Sequence, residues 1–106
     1  MPREQRTIFF SEFEVIDALR RFVEASKWDL GDNIIERVQA FDEQPVRAVA
    51  LCGTGEAARK VNLTEIDLAR AFMLYCVERE IPIPKRGQKD VRIAEGALAL
   101  TITVND

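Results

Sequence analysis

The chain has 106 residues, 47% of them hydrophobic and 31% charged, which supports one buried core and excludes both a disordered chain and two independent domains. Fifteen Lys and Arg against eighteen Asp and Glu give a formal charge of −3, the wrong sign for the global field of a generic nucleic-acid binder. No apolar run reaches the roughly 18 residues of a membrane helix, and no secretory h-region follows Met1-Pro2-Arg3-Glu4-Gln5-Arg6. Two cysteines, Cys52 and Cys76, are too few for a disulfide framework. A reducing, cytoplasmic location without a membrane partner is therefore expected.

Along the chain, Thr7-Ile8-Phe9-Phe10 reads as an edge strand or as a segment laid over the core, the strand being favoured. Ser11 then offers a helix cap, with Glu14 three places on and apolar positions Val15, Ile16, Leu19, Phe22 and Val23 at helical spacing. A helix over about 12–27 is predicted, followed by an irregular connection through Trp28 to Asn33. Strands 34–41 and 46–52 flank the turn Asp42-Glu43-Gln44-Pro45. Residues 53–62, opening with Gly53-Thr54-Gly55, read as a linker. A second cap, Thr64 with Asp67, starts a helix over about 65–80. Ile81-Pro82-Ile83-Pro84 cannot continue it and directs both isoleucines toward the core. Strands 89–94 and 98–104 follow, around Glu95-Gly96.

This order amounts to an internal repeat. Ser11 and Thr64 lie 53 positions apart, and at that spacing Glu12 and Glu65 are identical, as are Ala18 and Ala71. The prediction is one α+β domain over 1–106, built from two tandem αββ repeats (about 10–52 and 63–104). Their strands would make an antiparallel sheet with two helices on one face, related by a pseudo-two-fold axis.

The chemistry is narrow. The chain has no histidine, which removes Ser-His and Cys-His nucleophilic units and the commonest metal ligand. No catalytic residue, metal site or cofactor is predicted. Asp29-Leu30-Gly31-Asp32-Asn33 lacks the ligand order of a calcium loop, and Gly53-Thr54-Gly55 lacks the rest of a phosphate-binding pattern. Cys76 falls on the apolar stripe of the second helix and reads as a buried thiol.

Differences between the copies point to function, since the shared fold does not dictate them. Lys85, Arg86, Lys89 and Arg92 crowd one stretch of the second copy, whereas the first carries acids there. Residues 54–106 hold eight basic and eight acidic side chains, against seven and ten in residues 1–53. These four cations are the candidate anion or partner contact, with Gly87 allowing close backbone approach, and Trp28 is the candidate interface residue. Tyr75-Cys76 with Ile81-Pro82-Ile83-Pro84-Lys85 and Lys89 resembles small uncharacterised bacterial proteins made of a single αββ unit with a Tyr-Cys, Ile-Pro-Leu-Pro-Arg and Lys pattern. The resemblance covers residues 64–104 and departs at Ile83 and Lys85. It implies the αββ unit and no activity. The expected function is a non-enzymatic interaction module binding a protein partner or forming a homodimer; nucleic-acid or phosphate-ligand binding through the basic loop is the alternative.

Overall fold

In the computed structural model, residues 3–26, 34–53, 55, 58–84 and 86–105 are described. Its elements are β1 (Arg3–Phe10), α1 (Glu12–Ser26), β2 (Ile35–Phe41), β3 (Arg47–Cys52), β4 (Arg59–Leu63), α2 (Glu65–Glu78), β5 (Gln88–Ala94) and β6 (Ala97–Asn105). Trp28, Lys85 and the segment Asp29 to Asn33 lie outside the described residues.

Local chemistry starts both helices. Ser11 Oγ accepts from Glu14 N at 3.2 Å while the Glu14 carboxylate accepts from Ser11 N at 3.0 Å. Thr64 and Asp67 make the same reciprocal pair at 3.2 and 3.1 Å, so the shorter aspartate closes the capping box too. At the far end of α2, Glu80 N donates to Val77 O and Ile81 N to Cys76 O. That two-bond closure places Glu80 in the left-handed region, at φ +56°.

The strands form two three-stranded antiparallel sheets, in orders β1-β6-β5 and β2-β3-β4. The single sheet expected from the sequence is thus divided. Its division has a local cause: on β2 the Val38 N–H is taken by the Glu12 carboxylate at 3.3 Å, and on β5 the Val91 N–H is taken by that of Glu65 at 3.2 Å. Those amides do not donate to a neighbouring strand. A second correction concerns the expected linker 53–62, which contains β4, paired with β3 from Ala48 opposite Leu63 to Cys52 opposite Arg59. The weakly signalled strand at Thr7–Phe10 is present and longer, with β1 running antiparallel to β6 from Arg3 opposite Asn105 to Phe10 opposite Leu98.

One buried cluster joins the layers. Phe10, Leu98, Leu100 and Ile102 from one sheet and Ala48, Ala50, Cys52 and Leu63 from the other meet Val15, Leu19, Leu68 and Phe72 of the helices. The Phe10 and Phe72 rings stack with centroids 4.2 Å apart, and Tyr75 meets Phe10 edge-on. Ile81 and Ile83 pack against this cluster as predicted. Arg21 to Glu78 and Arg79 to Asp17 (2.8 Å) join the helices at the surface. No described helix is long and apolar enough to cross a membrane.

Candidate functional site

Strand alternation decides what the basic stretch can do. Lys89 stands opposite Ile102 and Arg92 opposite Ala99 on β6. Residues 89 and 92 differ by an odd number, so they project from opposite faces of the sheet. Lys89 is half-buried and lines an apolar groove of about 480 Å³ with Met73, Cys76, Val77 and Ile81. Its ammonium donates to Gly87 O at 3.3 Å. Arg92 lines a polar cleft of about 520 Å³ together with Glu65, Gln88 and Asp90. Arg86 is exposed on the bend before β5. The structure does not gather Lys89 and Arg92 into one patch.

Gly87 has a structural reason of its own. At φ +115° it occupies a region that disfavours side chains, and a Cβ there would lie 2.7 Å from Thr103 O. The close approach that glycine permits is therefore to β6 of the same chain. Gly53 is likewise engaged, its N–H donating to Ile34 O at 2.9 Å. That amide closes the end of the β2–β3 hairpin and is not turned to a phosphate.

Both thiols are buried. Burial pushes each above its ordinary range, with Arg59 partly opposing this at Cys52. Neither has the electropositive, accessible setting of a reactive thiolate. Among the described residues no cluster of three or more Cys, Asp and Glu is placed to hold a metal ion.

The feature that sequence reasoning missed lies where the sheets part. A cleft of about 630 Å³ is lined by Glu12, Arg37, Val38 and Asp42 from one side and by Ile93 and Leu98 from the other. Asp42 and Ile93 also line the polar cleft that holds Glu65. Glu12 binds Arg37 Nε at 2.8 Å as well as Val38 N. The Arg37 guanidinium, and then the Val38 amide, hold its carboxyl below the ordinary 4.5. The available signal was the identity of Glu12 and Glu65 at a spacing of 53, each in the first turn of its helix. Each sheet has two edge strands: β2 and β5 border the clefts, and β1 and β4 are the outer edges, with no further strand paired to them among the described residues. Comparison with known proteins returns no family model, curated protein or solved structure that matches the chain.

Proposed function

We propose that this protein is a non-enzymatic cytoplasmic interaction module that binds a protein partner or a second copy of itself. The observation that carries the reading is the pair of outer strand edges, β1 and β4, which lie away from the clefts bordered by the other two edge strands, β2 and β5. An open edge presents a row of unpaired N–H and C=O groups, which is a template for another strand. Large apolar side chains also stand outside the core: Phe9 on β1, Phe13 on α1, Ile34 just before β2, and Ile66 and Val77 on α2. Phe13 and Ile66 occupy the same place, the second residue, in α1 and α2.

The reading includes an internal duplication, each αββ unit being preceded by a strand. Strands β2 and β5 begin and end 53 residues apart, as do the starts of α1 and α2. The spacing falls to 50 beyond the hairpins, where Leu98 faces Phe10 and Ala48 faces Leu63. The change matches turn length: residues 42–46 are five, residues 95–96 are two. A pseudo-two-fold axis between the halves accounts for both spacings. It also accounts for the matched bonds of Glu12 and Glu65. The bacterial resemblance of residues 64–104 belongs to the same reading.

Anion binding through Lys85, Arg86, Lys89 and Arg92 is disfavoured by the opposite directions of Lys89 and Arg92. The test is native mass spectrometry of purified protein and of protein captured from a nuclease-treated lysate, with hydrogen exchange read along β1 and β4. A defined protein complex, homomeric or heteromeric, that slows exchange on one edge is the expected result. A monomer that takes up only nucleic acid, or whose edges exchange unchanged in every complex, would overturn the reading.

A further inference from the structure

The two outer edges, β1 and β4, are chemically unlike. β4 begins Arg59-Lys60 and carries no acidic side chain, so a second copy laid antiparallel along it and centred on Lys60 sets ammonium against ammonium. β1 begins Arg3-Glu4-Gln5-Arg6-Thr7, mixed in sign, and all five residues are exposed. Laid antiparallel on itself with Gln5 opposite Gln5, it sets Glu4 opposite Arg6 twice, once on each side of the two-fold axis. Neighbouring registers lose this match. Moving the centre to residue 6 opposes Arg6 to Arg6, and a half-step the other way opposes Arg3 to Arg6. Charges on an edge ordinarily deter pairing, and β4 follows that rule. On β1 the alternation is self-complementary, and opposite charges directly across an antiparallel pair stabilise it.

We propose that β1 is a self-association edge: a second copy of this chain pairs with it, β1 to β1, in a two-fold dimer centred on Gln5 with reciprocal Glu4–Arg6 pairs. This rests on the interaction-module reading and names its partner. Such pairing joins β5-β6-β1 of each copy into one six-stranded sheet, and it closes as an isologous dimer. Arg6 also donates from Nη1 to Pro82 O. That contact anchors one arm of the guanidinium over the 81–84 segment and leaves Nη2 and Nε for the carboxylate across the axis.

The experiment is sedimentation equilibrium on the full chain. The wild type is expected to be a dimer. Glu4→Arg alone and Arg6→Glu alone each put like charges opposite one another at two places, and each is expected to raise the dissociation constant by about tenfold or more. The double variant Glu4→Arg/Arg6→Glu restores the match and the dimer. An equimolar mixture of the two single variants forms a heterodimer, because each then carries the sign the other lacks. That mixture also guards against misfolding, since a chain that fails to fold will not be rescued by its counterpart. Either a dimer indifferent to all these changes or a monomeric wild type overturns the inference. A monomer that still binds another protein leaves the interaction-module reading intact, whereas a monomer with no protein partner ends both.

Discussion

Glu80 and Gly87 hold the same kind of backbone conformation for opposite reasons. Glu80 sits just past the end of α2 at φ +56°, the position where helices most often place glycine because a Cβ is unfavourable there. Glu80→Gly relieves that cost while adding freedom to the unfolded chain, so the net gain is about 0.5–1 kcal/mol. For a chain near 100 residues this raises the thermal midpoint by roughly 2–6 °C. A midpoint that stays or falls in calorimetry would contradict the account of the cap. Gly87 combines φ +115° with an approach of 2.7 Å to Thr103 O. Gly87→Ala must therefore move the loop from β6, at about 2 kcal/mol of stability. Urea denaturation reads this directly, and a neutral result would show that the loop relaxes freely.

Elements are where the carboxylates at the parted edges act. Glu12 covers Val38 N and pairs with Arg37, and its carboxyl is held below the ordinary 4.5. A carboxyl depressed in the folded state contributes stability that is present above its unfolded value and is lost as pH falls through the folded one. Glu12→Gln is therefore expected to lower the thermal midpoint at neutral pH, by a difference that closes as the pH drops below about 4.5. A gap between the two midpoints that stays constant from neutral to acid pH would show that the charge of Glu12 is not what matters. The same scale explains what the sequence makes legible. Capping residues and apolar stripes are local signals, and both helices end within two residues of their predicted limits. β4 gives no such signal, because Arg59, Lys60 and Asn62 leave only Val61 and Leu63 to alternate. β1 is similarly hidden by Arg3, Glu4, Gln5 and Arg6, whose pairing with β6 is fixed far away in sequence. The separation of Lys89 from Arg92 is legible once residues 89–94 are a strand, since alternation alone puts them on opposite faces. The parting of β2 from β5 is not, because it depends on a carboxylate meeting an amide 26 positions away.

Whole-molecule behaviour follows from how the sheets draw on the chain. β1 from the first half completes the sheet of β5 and β6, and β4 from the second half completes that of β2 and β3. The single core likewise mixes both halves, with Phe10 stacked on Phe72. Neither residues 1–53 nor residues 54–106 can therefore bury its own apolar face as a monomer. Each lacks the edge strand and the helix supplied by the other, and chains of about 50 residues are already marginal without a staple. The expectation is that each fragment alone shows no cooperative thermal transition as a monomer, while an equimolar mixture recovers one with the near-ultraviolet signal of the intact chain. Circular dichroism with sedimentation as a check on mass makes the comparison. Cooperative unfolding of either fragment as a monomer would mean that the exchanged strands are additions to two self-sufficient units, and the division of labour between the halves would have to be abandoned. Complementation, by contrast, locates stability in the exchange itself. It then follows why the outer strands β1 and β4 are retained despite their polar starts: each is the piece by which one half closes the other.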